Sequence, residues 1–440
     1  MEAAFLGLGG MFALLIVLLL AGVRVGIALG AIALLGLWIG FDYPLLDGAG
    51  LAFFESINSL SLTAIPLFVL MGELLLRAKF VDDVYRLMTL ILQKVPGGAA
   101  YANIGSSVIF ASMSGSSIAN AATMGTVAGP TMVKLGYSKR LTFGSIAAGG
   151  TLGILLPPST VMIMYGGMTG ESIGALFMAG ILPGIIGAAL FCLVIFVGSL
   201  IHRRKTGVIP GGAFDSGVVG ERSLGQTVVS VVAVLSLIVF ILGGIYAGLF
   251  SPTESAGVGA GAALLLGLGF RRFNLKQAWA AVGSTVYVSA AVLFIIGAAG
   301  MFSYLLKYLG YTADISAWLS TSGLPVWVIV LLVGVFYLVL GLFIESTSLI
   351  VMTIPVVYPI LSSLGVDGVW LGIIIIILVE IGLITPPVGM NLFVLQRVKA
   401  GQTFSDIALG SLPFVGALLA LVVLISVFPS IVTWLPGLSG

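Results

Sequence analysis

Two adjacent prolines inside a long apolar segment constrain this chain more than any other feature, because the arrangement occurs twice. Gly153-Ile154-Leu155-Leu156-Pro157-Pro158 is matched 229 residues later by Gly382-Leu383-Ile384-Thr385-Pro386-Pro387. The same shift places Ser117 on Ser346, Pro130 on Pro359 and Leu135-Gly136 on Leu364-Gly365. With 17 prolines among 440 residues, chance predicts about 0.06 proline coincidences over this window, and three occur. The chain therefore carries an internal repeat. Its first copy opens at Ser114-Gly115-Ser116-Ser117 and its second at Glu345-Ser346-Thr347.

The solvent around these breaks follows from composition. Hydrophobic residues make up 60% of the chain, charged residues 8%, and mean hydropathy is +1.24. A soluble domain carries about a quarter charged residues. Apolar runs of about 20 residues recur, the length a helix needs to cross a bilayer. These features predict an all-α polytopic membrane protein. A net charge of +2 is too small to imply a nucleic-acid partner. The single cysteine, Cys192, lies in an apolar run and excludes an intramolecular disulfide. The first run, Ala3 to Ala21, has an acidic flank at Glu2 and no small-residue cleavage pattern, and reads as a span rather than a signal peptide.

Lysine and arginine set the orientation. Spans are expected near 4–22 and 25–41, turning at Arg24, followed by a polar loop at Asp42–Gly50. A span near 60–77 leads into an amphipathic basic segment, Arg77–Lys94. Residues 100–131 are rich in Gly, Ser, Ala and Asn and lie between basic segments. They read as a re-entrant hairpin with its tip at Ser114–Ser117. A span at 141–165 carries the first break, and one at 174–201 ends at His202-Arg203-Arg204-Lys205. The polar Thr206–Gln226 loop then separates the halves. Spans near 227–249, 254–270 and 281–306 follow, then a polar segment at 307–324 and a second hairpin at 326–361. The broken span at 369–395 ends at Arg397 and Lys399, and 409–435 forms the last span. These ten crossings and two hairpins put nearly every basic cluster on one side, with Arg222 as required and Lys307 as the main exception. The two copies then face opposite ways, which is inverted-topology architecture. The corresponding units are 1–99 (scaffold and first arm), 100–173 (first half of a transport domain), 174–325 (scaffold, loop and second arm), 326–399 (second half) and 400–440 (C-terminal helix).

Irregular backbone at membrane depth persists only where protein buries it or where it lines a cavity. Each Pro-Pro pair removes two amide donors and crowds the preceding turn, and biases the residue before it away from helix. Each span is therefore predicted to split into half-helices. Freed carbonyls can ligate a cation, and half-helix N-termini can face an anion. The tips add hydroxyls from Ser114, Ser116, Ser117, Ser346 and Thr347, and Gly115 permits close approach. Oxygen-only donors suit a hard cation such as Na⁺. Two tips beside two breaks describe two cation sites around a substrate cavity.

At these residues the chain resembles the large membrane subunit of TRAP transporters, the tripartite ATP-independent periplasmic type. The stretches that carry the resemblance are Ser114–Ser117, Ala147 through Ser159, Ser251-Pro252-Thr253-Glu254, and Gly382 through Phe393. It covers essentially the whole chain. The resemblance implies a multi-pass bacterial inner-membrane importer with an elevator fold like those of the ion-transporter superfamily. It also implies Na⁺ symport, a separate small four-helix membrane subunit and a periplasmic substrate-binding protein. The cargo would be a small organic acid such as a C4-dicarboxylate or sialic acid, with no other cofactor. The expected cation set is Ser114, Gly115, Ser116, Ser117, Gly150, Gly153 and Pro157 in one half. In the other it is Glu345, Ser346, Thr347, Gly382, Thr385 and Pro386. Substrate contacts are expected from Ser117, Thr151, Thr347, Thr385 and Asn391.

Plainer roles stand beside these. Small hydroxyl residues also pack helices against one another. Glu345 can neutralise a cation, whereas Glu380 can equally clamp helices together. Glu73 and Glu254 read as structural, Asp82, Asp83 and Arg86 as an interfacial face, and His202 as an orientation signal. An intramembrane enzyme would need a base beside a tip serine, and the lone His202 lies at a membrane edge. A channel is permitted by paired hairpins but fits dead-end tips less well. H⁺ coupling through Glu345 or Glu380 stays open beside Na⁺, as does work without a binding protein.

Overall fold

The computed structural model describes residues 2–40, 44–92, 94–206, 223–398 and 401–438. Among them every regular element is helical. The chain begins with α1 (Glu2–Leu20), α2 (Val25–Gly40) and α3 (Pro44–Ile57). A 3-10 turn at Leu60–Thr63 leads into α4 (Ala64–Arg77) and then α5 (Phe80–Leu92). A helical hairpin follows, α6 (Gly98–Ser114) and α7 (Ser117–Lys134), and then a broken helix, α8 (Lys139–Leu155) and α9 (Thr160–Thr169). Next come α10 (Ile173–Thr206), α11 (Leu224–Tyr246), α12 (Pro252–Gly269), α13 (Leu275–Leu309) and α14 (Tyr311–Thr321). A second hairpin, α15 (Val326–Gly341) and α16 (Ser346–Ser363), precedes a second broken helix, α17 (Gly368–Leu383) and α18 (Met390–Gln396). The chain closes with α19 (Phe404–Val427) and α20 (Ser430–Gly437).

The helix starts obey the same 229-residue shift as the prolines. α7 and α16 start at Ser117 and Ser346, and α8 and α17 at Lys139 and Gly368. Side chains that accept from backbone amides fix several of these starts. Ser116 caps α7, Ser138 caps α8, Glu345 caps α16 and Asp367 caps α17. Both proline pairs lie between helices and carry cis bonds, at Pro157-Pro158 and Pro386-Pro387. The predicted splits are present at both places.

Other boundaries differ from expectation. Residues 44–50 of the predicted polar loop are helical, with Pro44 in the first position and Asp47 in the first turn. Gly48 there is a packing residue rather than a turn residue, since a Cβ on it would lie 2.0 Å from the Tyr304 hydroxyl. Residues 42, 43, 207–222 and 399, including Arg222 and most of the inter-half loop, lie outside the described residues. The predicted span at 281–306 belongs to a 35-residue helix, and the polar segment after it is largely helix α14. The last predicted span is two helices, because Pro429 follows the end of α19.

Six described helices are individually long and apolar enough to cross a membrane, and α8 with α9, bent by 42°, makes a seventh. Shorter apolar helices lie at Leu6–Leu20, Val25–Ile39, Val326–Gly341 and Gly368–Leu383. The helices pack in two groups. In one, α13 runs along α2, α3 and α4, while α12 lies on α4 and α11 lies on α5 and α12. In the other, α6, α7 and α19 surround α8, and α15 and α16 pack on α17. α10 joins this second group through α8, α9, α17, α19 and α20. The groups meet where α4 and α5 touch α6 and where α13 touches α16. Small residues allow the closest contacts. A Cβ on Gly144 of α8 would lie 2.1 Å from the Gly410 carbonyl oxygen of α19, and one on Gly72 of α4 would lie 2.3 Å from the Met113 oxygen beside the first tip.

Candidate functional site

The two tips are built alike. Gly115 turns the first at φ +65°, and a Cβ on it would strike Thr160 Oγ1 at 2.4 Å, where α9 begins. At the second tip the Leu342 carbonyl accepts the Gly389 N–H at 3.2 Å, beside the start of α18. Each hairpin tip thus rests on the second half of its own broken helix. Ser116 Oγ accepts the Ala119 N–H at 3.2 Å, and Glu345 Oε2, at the equivalent position, accepts the Ser348 N–H at 3.2 Å. Ser114 Oγ accepts the Ser116 N–H at 3.5 Å.

The next residues of the two tips, Ser117 and Ser346, are buried and reach beyond their own helices. Asn391 Nδ2 on α18 donates to Ser117 Oγ at 2.8 Å and to the Ala147 carbonyl at 3.1 Å. Ser346 Oγ donates to Glu380 Oε1 on α17 at 2.6 Å, and the Ser117 hydroxyl faces the same carboxyl. Gly150 belongs to this cluster. A Cβ on it would lie 2.9 Å from each of Asn120 Nδ2, Ser117 O and Ser117 Oγ. The two repeats therefore converge on one buried group of oxygens and amides.

Several expected residues are otherwise engaged. Gly153 packs α8 on α6, since a Cβ there would meet Ala111 Cβ at 2.3 Å, and its carbonyl accepts the Leu156 N–H at 3.2 Å. Gly382 faces the Gly341 backbone, with its Cβ position 2.4 Å from the Gly341 carbonyl carbon. Thr151 Oγ1 donates to Ala148 O within α8, and Thr385 Oγ1, in the second break, donates back to Ile381 O in the last turn of α17, each at 2.6 Å. Thr347 and Pro386 are half-buried, and Pro157 is buried.

Asn120 was not among the residues the sequence singled out. It is fully buried, one turn after Ser117, and neither amide atom has a hydrogen-bond partner among the described residues. Its signal is the spacing of three from Ser117, which puts both on one helix face. Asn391 Oδ1 and Glu380 Oε2 are also buried without partners among the described residues. An unpaired buried acceptor costs about 1–3 kcal/mol. Uncharged oxygens with a single carboxylate among them fit a hard monovalent cation held by carbonyl and hydroxyl groups.

A family model described as the tripartite ATP-independent periplasmic transporter, DctM component, matches residues 12–431. The chain is 32% identical over 448 residues to the C4-dicarboxylate TRAP transporter large permease protein DctM of Rhodobacter capsulatus, covering 98% of each. It is 32% identical over 426 residues to the sialic acid large permease protein SiaM of Vibrio cholerae, covering 96% of each. It is 29% identical to the ectoine large permease protein TeaC of Halomonas elongata, covering 98% of this chain and 99% of that one. In fold it is similar to the YdaH transporter of Alcanivorax borkumensis, with a TM-score of 0.66, 16% identity and 88% of each chain covered. It is also similar in fold to MtrF of Neisseria gonorrhoeae, with a TM-score of 0.54, 13% identity and 86% and 83% covered. The matched family is a membrane transport permease and not an enzyme. With the match spanning nearly its full length, this chain belongs to the DctM component family of tripartite ATP-independent periplasmic transporters.

Proposed function

We propose that this chain imports a small organic acid across the bacterial inner membrane by Na⁺ symport. It acts with a small membrane subunit and takes its cargo from a periplasmic binding protein. The observation that carries the proposal is the cluster of Ser117, Ser346, Glu380 and Asn391. It draws both repeats to one buried point and leaves Asn120 Oδ1, Asn391 Oδ1 and Glu380 Oε2 unpartnered among the described residues. Na⁺ entering there supplies the missing partner, with Ser117, Gly150, Asn120 and Asn391 around the first site and Ser346, Thr347 and Glu380 toward the second. Glu345 acts by capping α16 and so shaping the second tip. The half-buried tip residues Ser114, Ser116 and Thr347, with Thr385 at the second break, face the space for the carboxylate cargo. Relatives named for C4-dicarboxylate, sialic acid and ectoine support an organic-acid class without choosing a member.

Movement follows the two packing groups. The moving unit is α6–α9 with α15–α18, in inverted repeat, and the scaffold is α1–α5 with α11–α14. α10 and α19 pack on α8 and α17, and we assign them to the moving unit, which takes α10 out of the scaffold group expected from sequence. Binding of cation and cargo together stabilises the state that crosses, whereas either alone does not. The test is uptake into proteoliposomes holding this chain and its small subunit, under an imposed Na⁺ gradient, with and without the binding protein. Uptake requiring both is expected, with Ser117→Ala and Thr347→Ala each weakening the Na⁺ response. Unchanged Na⁺ dependence in both variants would show the site to be misplaced.

One observation favours a second reading. Glu380 is fully buried, with one carboxyl oxygen bonded and the other unpartnered, a setting that a proton also satisfies. Uptake driven by a proton gradient in Na⁺-free buffer would support H⁺ coupling there.

A further inference from the structure

Arg272, in the connection between α12 and α13, has its guanidinium only partly engaged, and its side chain is 5% exposed. Its Nη2 donates to Asp83 Oδ2 on α5 at 2.5 Å and to Ser230 Oγ on α11, and the guanidinium lies 5.1 Å from the centre of the Phe80 ring. These contacts tie α5 to α11. They leave Nη1 buried and without a partner among the described residues. A charged donor left unpaired in the interior costs more than a neutral one, and the tie between α5 and α11 does not use it.

A cavity of about 410 Å³ is lined by Arg272 together with Gly225, Gln226, Val229, Ser230 and Phe270. Gly225 and Gln226 stand in the first turn of α11, a 23-residue helix, so the positive end of its dipole lies at the same cavity. The opposing charge, Asp83, contacts the other guanidinium nitrogen. Val229 and Val232 on α11 are 56% and 55% exposed, so the wall beside the cavity faces lipid. The basic-residue distribution places this end of the helices at the inner leaflet.

We propose that this cavity binds the phosphate of an anionic phospholipid headgroup. Arg272 Nη1 and the first turn of α11 donate to the phosphate, and Val229 and Phe270 cover the glycerol and first acyl carbons. Basic pockets between membrane helices on the cytoplasmic side suit such headgroups. A free phosphate ion shares the donor chemistry but leaves the apolar wall uncovered. The proposal is independent of which ion drives transport.

The test uses the chain purified with its small subunit, stripped of lipid and then given phosphatidylglycerol, phosphatidylcholine or inorganic phosphate. Retained lipid is counted by native mass spectrometry, and protection is read from the thermal midpoint. Phosphatidylglycerol should bind and protect at concentrations at least tenfold below phosphatidylcholine, with inorganic phosphate weaker than both. Gly225→Glu sets a carboxylate at the cavity mouth without touching the Arg272–Asp83 pair and should weaken phosphatidylglycerol at least tenfold. Arg272→Gln combined with Asp83→Asn removes both charges and keeps a hydrogen-bonding pair, so it serves where Arg272→Gln alone does not fold. Unchanged phosphatidylglycerol binding in both variants would overturn the proposal. So would equal binding of the two lipids, or protection by phosphate with none by phosphatidylglycerol.

Discussion

Asn391 donates one amide group to Ser117 Oγ at 2.8 Å, across 274 residues of chain, and thereby fastens the second broken helix to the first hairpin. The same amide holds the Ala147 carbonyl at 3.1 Å. Replacing Asn391 with leucine keeps the bulk but strands both acceptors in a buried place. Stability should fall by about 1–3 kcal/mol, visible as a lower thermal midpoint. The Na⁺ concentration for half-maximal uptake should rise at least tenfold. A lower midpoint with an unchanged Na⁺ titration would reduce Asn391 to a fastener.

Glu380→Gln retains an oxygen to accept from Ser346 and removes the negative charge. The variant should fold, because the hydrogen bond at 2.6 Å has a neutral substitute for its acceptor. Na⁺-driven uptake should drop at least tenfold, since a neutral amide is a weaker cation ligand. Retained Na⁺-driven uptake, with loss only of uptake driven by a pH gradient, would assign coupling to a proton at Glu380.

Gly382 and Gly261 give a matched pair of opposite sign. A methyl at Gly382 would meet the Gly341 backbone at 2.4 Å, and backbone cannot step aside. Gly382→Ala should destabilise by about 1–3 kcal/mol and abolish uptake by separating α15 from α17. Gly261 has no described residue within 4 Å of its Cβ position. Gly261→Ala should be neutral or stabilising by up to about 1 kcal/mol. Thermal midpoints of both variants check the contrast.

Tyr358 on α16 donates to Glu171 Oε1 at 2.7 Å, and Tyr165 on α9 donates to the Gly368 carbonyl at 2.7 Å. The two bonds lace the second hairpin and α17 to the end of the first broken helix. Tyr358→Phe removes one bond to a carboxylate and should cost about 1.5–3 kcal/mol, with Tyr165→Phe costing less. Additive loss in the double variant would mean that the two bonds act separately, and a smaller sum would mean that they act as one lace.

The breaks and hairpin turns were legible because their causes are local. Pro157-Pro158 and Pro386-Pro387 end helices through their own missing donors and the crowding of one preceding turn. Ser116 caps α7 through an amide three residues away. Legibility failed where context reverses a local signal. Asp42–Gly50 read as a polar loop, yet Gly48 lies in a helix and lets Tyr304 approach. Gly153, four residues before a proline pair, serves as a packing surface for α6. Thr151 and Thr385 were read as ligands, and only the structure shows that each hydroxyl also donates to a nearby carbonyl, that of Ala148 or Ile381.

By itself the sequence determined the membrane class, the places where helices break and the two tips at Ser117 and Ser346, since composition and proline act over one or two turns. Only the tertiary structure decided that Ser117 meets Asn391, that Ser346 meets Glu380, and that Asn120 stands beside Gly150. It alone paired Arg272 with Asp83 across 189 residues. Such contacts depend on the rotation of whole helices about their axes. In a chain this apolar, the hydrophobic pattern that would announce those rotations is nearly uniform around helices such as α8 and α17.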